Sequence, residues 1–102
     1  AQLRHLFELL RHSSKPVMVV GDFNTFWGEH EMALFMEAAG LKSANRERLP
    51  SYPSRRPRME LDFILHTRGI EIESFEVPDI TYSDHRPLVC DFRLTGGRRE
   101  AA

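Results

Sequence analysis

Three short stretches place reactive side chains at or beside strand-like apolar runs. In "VMVVGDFNT", four apolar residues lead into Asp22 and Asn24. In "TYSDHRPLVCDF", Asp84 and His85 stand immediately before a run that alternates apolar and polar residues, and Asp62 lies inside "ELDFIL". Side chains at strand ends are held by the backbone and stay open to ligands. These five residues are therefore the candidate site.

Carboxylates, an amide and an imidazole that converge on one place suit the chemistry of a phosphoester. Their oxygen atoms are the ligands that hard divalent cations prefer. A cation held in this way activates water, and charged groups beside it stabilise a phosphoryl group in reaction. Each residue alone also has a structural explanation, since Asp, Asn and Ser are common in turns. The functional interpretation therefore depends on the combination.

Length and composition indicate one small domain, residues 1–102, of an ordinary globular kind. The chain is 41% hydrophobic and 28% charged, and its formal charge of -1 argues against the globally basic surface of a dedicated nucleic-acid binder. No apolar run approaches the roughly 20 residues that cross a bilayer, so no membrane span is expected. Cys90 is the only cysteine, which excludes an internal disulfide and predicts a small buried side chain.

The first half of the chain predicts helix, strand, helix and loop. Apolar residues recur at three- and four-residue spacing over 2–12, which predicts an amphipathic helix. The run Val17 to Val20 predicts a central strand buried on both faces. Acids in the first turn and Gly40 at the end favour a second helix over 29–39. The segment 45–58 carries three prolines and is predicted to be a loop.

Three further strands are predicted over 60–66, 70–77 and 88–94, and the last has clean period-two alternation. The apolar residues of the second strand change face, which a bulge near Ser74 would reconcile. A strand at 17–20 calls for a helical crossover, whereas the last strands can pair antiparallel. The predicted fold class is α/β, a mixed sheet with helices on one face.

The motifs "VVGDFNT", "LDFIL" and "SDHRPLV", in this order, resemble the endonuclease/exonuclease/phosphatase superfamily of metal-dependent phosphoesterases. The resemblance spans about Val17 to Phe92. It implies that this chain is the carboxyl-terminal half of the family's domain, and so half of a four-layer α/β sandwich. It also implies a phosphoester substrate, of which nucleic acid, phospholipid and phosphoinositide stay open.

The resemblance implies a role for each candidate residue. Asp22 orients or deprotonates the attacking water, and Asn24 donates a hydrogen bond to a phosphoryl oxygen or helps to hold a metal. His85 contacts the phosphate as general base or charge stabiliser, while Asp62 fixes its tautomer and raises its basicity. Asp84 is a metal-associated carboxylate. The implied cofactor is Mg²⁺ or Mn²⁺, with Asp22, Asn24 and Asp84 as its ligands.

The sequence departs from the family pattern in two respects. Relatives bring an Asn and a metal-binding Glu on an amino-terminal half, and no position here matches that pair. Glu29 and Glu31 are nearby acids, but first-turn helix positions explain them better. Glu60 replaces the basic residue that many relatives place two before Asp62.

The loop arginines have two interpretations, which the sequence leaves open. They contact substrate phosphates through paired hydrogen bonds. Alternatively, they form a solvated loop in which Arg56 or Arg58 pairs with an acid such as Glu60. The residues concerned are Arg46, Arg48, Arg55, Arg56 and Arg58.

Two hypotheses of different class follow. The chain is part of a metal-dependent phosphoester hydrolase that uses water as its nucleophile. Alternatively, it is a non-catalytic half-domain that forms a homo-oligomer, or needs a second chain or a missing amino-terminal half to complete the site, because its sheet would otherwise expose a large apolar face.

Overall fold

The computed structural model describes residues 2–22 and 28–95. Both predicted helices and all four predicted strands are present, and the short strand β2 is an addition that the sequence pattern did not predict. Numbered in chain order, the elements are α1 (Gln2–Arg11), β1 (Met18–Asp22), α2 (Glu29–Ala39), β2 (Lys42–Ser43), β3 (Asp62–His66), β4 (Ile70–Glu76) and β5 (Val89–Leu94).

A three-stranded sheet in the order β1-β3-β2 forms the centre of the molecule. Strand β3 runs antiparallel to both neighbours, with Met18 opposite His66 and Asp22 opposite Asp62. All strand pairs within 2–22 and 28–95 are antiparallel, so the prediction of a sheet with parallel pairs is wrong. That prediction assumed one helical crossover after β1. The long segment between β2 and β3 reverses the direction of the chain, so that β3 runs antiparallel to both β1 and β2.

The helices cover one face of this sheet, as predicted. Phe63 and Leu65 alternate along β3, so both side chains point to the same face, and Leu65 is fully buried. They form a core cluster with Met32 and Leu41. Partly buried side chains from both helices and β1 pack against this cluster: Leu10, Val19, Phe35, Met36 and Ala39. Asp62 therefore faces away from the helices.

Strand β1 is an edge strand in the part of the chain that the structure describes. Val20 is 67% exposed, so the prediction of a central strand buried on both faces is wrong. Val20 lies opposite Ile64 on the face away from the helices. A run of β-branched residues indicates a pleated surface able to pack on both sides. It does not determine how many neighbouring elements are there to pack against it.

Strands β4 and β5 pair as a separate two-stranded ribbon. The register shifts between Ile72 and Ser74, which confirms the predicted bulge. Cys90 is a free, half-buried thiol, so the prediction of a buried cysteine holds only in part. On the same face of β5, Phe92 is 47% and Leu94 67% exposed. The ribbon therefore leaves much of its apolar face uncovered by the described residues.

The first turn of α2 explains one of the acids near the site. The Glu31 carboxylate accepts a hydrogen bond from the Gly28 N–H at 2.9 Å, which satisfies a backbone donor at the start of the helix. Gly40 ends the helix in the left-handed conformation, with a φ of 71°. Glu31 is thus a capping residue, as its position in the sequence predicted. Neither helix in the described ranges has the length and apolarity that crossing a membrane requires.

Candidate active site

Pairing of β1 with β3 places two carboxylates side by side. Asp22 ends β1 and lies directly opposite Asp62, the first residue of β3. Paired residues share a face, so both side chains point away from the helices. Like charges in direct opposition destabilise a strand pair unless a cation lies near them. The two ends therefore create a need for positive charge.

His85 lies against both acids. Its Nδ1 is 2.6 Å from Asp62 Oδ2, and its Nε2 is 4.0 Å from Asp22 Oδ2. An ionised carboxylate only accepts hydrogen bonds, so Nδ1 carries a proton that it donates to Asp62. Nε2 then faces Asp22 across a gap that a direct hydrogen bond does not close. Asp62, His85 and Asp22 thus form an ordered series.

The three acids around the imidazole change its protonation. The pKa of His85 is raised above its ordinary value, chiefly by the hydrogen bond to Asp62. Burial opposes this by lowering the pKa, and the charges of Asp62, Asp22 and Asp84 raise it further. The imidazolium form is therefore more populated near neutral pH than in a free histidine.

Two residues that the sequence reasoning missed support this series. The Ser51 hydroxyl donates a 2.7 Å hydrogen bond to Asp62 Oδ2, and Ser51 is fully buried. The ring of Tyr52 packs against His85, with ring centroids 4.9 Å apart and a tilt of 52°. Both lie in the middle of the proline-rich loop, 45–58. No local pattern marks them, because their roles arise from contacts with residues far along the chain.

Three hydrogen bonds join this loop to the segment that carries His85. The Ser54 N–H donates to the Asp84 carbonyl, and the Arg86 N–H donates to the Ser51 carbonyl, both at 2.7 Å. The Arg86 Nε donates to the Ser54 carbonyl, also at 2.7 Å, and its terminal nitrogen pairs with Asp79 at 3.0 Å. The loop thereby fixes the residues on either side of His85.

The candidate residues fall into three groups in the structure. Asp22, Asp62 and His85 come together, with one potential ligand atom from each within 4.8 Å of the others. Asp84 has an exposed side chain outside that group, although its charge acts on His85. Asn24 lies outside the described residues. The catalytic and metal-binding assignments of the five stay predictions.

The donor chemistry of this site fits a hard divalent cation. Carboxylate oxygens are the ligands that Mg²⁺ and Mn²⁺ prefer. Asp62 Oδ2 already accepts hydrogen bonds from Ser51 and His85, so those groups serve one another. Asp22, with 36% of its side chain exposed, lies on the side of the site that a cation and substrate can approach.

The acid at the position where many relatives have a base has a partner of its own. Glu60 has only 8% of its side chain exposed and pairs with Arg48 Nε at 3.1 Å. The prediction that Glu60 pairs with Arg56 or Arg58 is therefore wrong, because its partner is Arg48. Arg46, Arg55, Arg56 and Arg58 are exposed. Arg48 has 61% of its side chain exposed, so this half-exposed pair offsets part of the negative charge of Glu60.

The chain belongs to the Endonuclease/Exonuclease/phosphatase family, whose family model matches residues 1–85. Hydrolysis of phosphoesters is accordingly the class of reaction that this membership supports. The match covers the strand ends that bring Asp22 and Asp62 together, and it ends at His85.

Similar, longer proteins occur in Vibrio species. A UPF0294 protein of Vibrio cholerae is 37% identical over 97 residues, an alignment that covers 91% of this chain and 33% of the relative. A UPF0294 protein of Vibrio parahaemolyticus is 32% identical over 98 residues, covering 92% of this chain and 34% of the relative. One from Vibrio vulnificus is 32% identical over 97 residues, with 91% and 33% covered. The chain thus spans about a third of the length of the curated relatives it matches.

Proposed function

We propose that this chain carries catalytic groups of a divalent-metal-dependent hydrolase that cleaves a phosphodiester or phosphomonoester by direct attack of water. The observation that carries the proposal is the ordered series Asp62, His85, Asp22, with contacts of 2.6 Å and 4.0 Å along it. It places an oriented imidazole and a carboxylate on one exposed edge of the sheet. A phosphoryl group that accepts a hydrogen bond from Nε2 on the exposed side would lie beside Asp22.

His85 acts in this proposal as the charge stabiliser. Its raised pKa, caused first by the hydrogen bond to Asp62, favours the imidazolium form. A protonated Nε2 donates a hydrogen bond to a phosphoryl oxygen and offsets the negative charge that grows there. Asp62 keeps the ring in the orientation that points Nε2 toward the substrate. A general-base role would require a neutral Nε2, which the surrounding acids disfavour.

Asp22 takes the second role, orientation of the attacking water. Its carboxylate is 36% exposed and lies 4.0 Å from His85 Nε2, so a water molecule that it holds is adjacent to the phosphate site. Accepting a hydrogen bond from that water increases the nucleophilicity of the oxygen, and the proton moves to the carboxylate as attack proceeds.

The proposed cofactor is Mg²⁺ or Mn²⁺. Asp22, Asn24 and Asp84 would hold it, and the bound cation would supply neutralisation of charge on the phosphoryl oxygens. The chain would be the carboxyl-terminal half of the family's domain, and a further carboxylate ligand would come from outside this sequence. The substrate would be either nucleic acid or the headgroup of a phospholipid or phosphoinositide. A variant of Arg55 and Arg56 distinguishes these classes, as described in the Discussion.

The test is hydrolysis of bis(p-nitrophenyl) phosphate and p-nitrophenyl phosphate in Mg²⁺, in Mn²⁺ and in EDTA. It uses the protein as its own gene encodes it, with the 102-residue chain in parallel. Asp22→Asn and His85→Gln should each lower kcat/KM by about 100-fold or more, the typical contribution of a positioned acid or base. EDTA should abolish turnover.

His12→Gln is the matched control, because His12 is exposed, directly follows α1 and pairs with Glu8 of that helix at 3.4 Å. Its rate should equal that of the unmutated protein. Rates within a few-fold of the unmutated protein for both site variants, measured with the metal present, would refute the proposal.

A second candidate function is a non-catalytic half-domain that self-associates or requires a second chain. The exposed apolar side chains favour it, because Val20 and Leu94 are each 67% exposed and Phe92 is 47% exposed. Among the described residues Val20 also lies on an edge strand, and an edge strand can pair with a further strand. These features are typical of surfaces that other protein covers.

Sedimentation velocity separates the two candidates. A half-domain of this kind sediments as a dimer without turnover, and Val20→Lys should shift it to monomer because a charge blocks edge pairing. A monomeric chain at high micromolar concentration, with metal-dependent turnover, excludes this second candidate. Lys15→Ala, at an exposed position before β1, is the control that should not change the association state.

A further inference from the structure

Ser51 contacts Asp62 through its side chain and the residue after His85 through its backbone. Its hydroxyl donates to Asp62 Oδ2 at 2.7 Å. Its carbonyl accepts the N–H of Arg86, the residue after His85, at 2.7 Å. From these contacts we propose that Ser51 is a positioning residue that locks the Asp62 carboxylate in the orientation that receives His85 Nδ1–H. The inference deepens the proposed function and rests on it.

The locking follows from which oxygen is used. Ser51 and His85 both donate to the same atom, Asp62 Oδ2, at 2.7 Å and 2.6 Å. Rotation of the carboxylate about its terminal torsion, which is soft in an aspartate, would break both bonds together. With the hydroxyl removed, His85 would be the one remaining donor to Oδ2 among the hydrogen bonds of the described residues. Two donors from different segments therefore define one carboxylate orientation.

Ser51 can hold Asp62 because Ser51 itself is held. It is 0% exposed, so no solvent water competes for its hydroxyl. Its N–H donates to the Met59 carbonyl at 3.0 Å, and its carbonyl accepts from Arg86. Hydrogen bonds from a hydroxyl to a carboxylate in such a place are short and strong. The serine thus transmits the rigidity of the loop to Asp62.

The test reads the tautomer of His85 directly, in metal-free and substrate-free protein. Histidine labelled with ¹⁵N is observed by NMR on the alkaline side of the His85 titration, which the same spectra locate, so that the imidazole is neutral. In the unmutated chain the Nδ1–H tautomer should dominate. In Ser51→Ala the ratio of Nδ1–H to Nε2–H should fall about ten-fold, the effect expected when a hydrogen bond to a charged group is lost.

Two variants separate the hydroxyl from packing. Ser51→Thr retains the hydroxyl and should restore the tautomer ratio of the unmutated chain. Ser54→Ala is the matched control in the same loop, because Ser54 is 6% exposed and its hydroxyl makes no hydrogen bond with the pair in the described part of the chain. If Ser51→Ala does not fold, Ser51→Cys replaces it, since a thiol of similar size is only a weak donor.

An unchanged tautomer ratio in folded Ser51→Ala or Ser51→Cys overturns the proposal. An equal fall in Ser51→Thr also overturns it, because packing would then be responsible. In the activity assay, Ser51→Ala should lower kcat at least about ten-fold with KM within two-fold, and Thr should rescue it. The NMR result requires no turnover. If the unmutated protein is inactive but Ser51→Ala still lowers the tautomer ratio about ten-fold, the proposed function is refuted and the positioning role of Ser51 is retained.

Discussion

The energetic coupling between Asp62 and His85 is the most direct measure of the site's integrity. A double-mutant cycle with Asp62→Ala, His85→Ala and the double variant isolates it, because each alanine removes the contact without a new partner. A hydrogen bond to a charged group contributes about 1.5–3 kcal/mol. Side-chain exposures of 31% for His85 and 22% for Asp62 let water compete. We therefore expect a coupling of about 1–2 kcal/mol at a pH near 6.

The coupling should decrease as the pH rises. At a pH above the folded pKa of His85 the imidazole is neutral, so Nδ1–H still donates to Asp62 but the attraction between opposite charges is gone. About 0.5–1 kcal/mol of coupling should then remain. The assay is urea unfolding of all four proteins at both pH values, monitored by the far-UV circular dichroism of the backbone. Data analysis uses the free energy of unfolding extrapolated to water.

An exposed pair supplies the control cycle. Ser74 donates to Asp91 at 2.9 Å on the surface of the ribbon, so its coupling should be small and equal at both pH values. For Asp62 and His85, a coupling below about 0.3 kcal/mol at the lower pH, the usual limit of additivity, would refute the reasoning. So would a coupling that increases with pH.

Three further outcomes are expected. Leu65→Ala should lower the free energy of unfolding by about 2–5 kcal/mol because Leu65 is fully buried, whereas Val20→Ala, at a 67% exposed position, should cost less than about 1 kcal/mol; equal losses in urea unfolding would contradict the core assignment. The pKa of His85 is raised in the folded chain, so the stability that His85 contributes is complete below a pH of about 6.5 and is lost as the pH rises through the folded pKa. His85→Gln should flatten that part of the plot of unfolding free energy against pH. A contribution of His85 that grows with pH in this range would contradict the prediction. Arg55→Ser combined with Arg56→Ser should weaken binding of a single-stranded oligonucleotide, measured by fluorescence anisotropy in EDTA. The slope of log K against log salt concentration should fall in magnitude by about 1–2. An unchanged slope would favour a solvated loop, or a lipid headgroup as substrate.

The helices and strands were predictable because their signals are local. The three-and-four spacing before Arg11 and the alternation around Phe92 each depend on a few neighbouring residues. The bulge at Ser74 was also visible, as a change of face within one strand. The antiparallel return of β3 was not predictable from these signals. It depends on the path of a long loop, which no periodicity records.

The candidate site divides in the same way. The residue types of Asp22, Asp62 and His85, and their places beside strands, are written in the sequence and were enough to select them. The meeting of the two carboxylates follows from register, since a shift of one residue between β1 and β3 would turn one of them to the opposite face. The position of His85 follows from the loop hydrogen bonds to its neighbours. Ser51 was missed because a serine beside a proline is common in any loop.

Local order along the chain thus determined which side chains are reactive and which segments are helix or strand. Tertiary structure alone decided that β1 is an edge strand within 2–22 and 28–95. It also decided that two acids face each other across β1 and β3, and that Ser51 and His85 share one oxygen of Asp62. The physical reason is the range of the forces. Backbone propensity and hydrophobic periodicity act over a few residues, whereas strand register and buried hydrogen bonds join residues that only folding brings together.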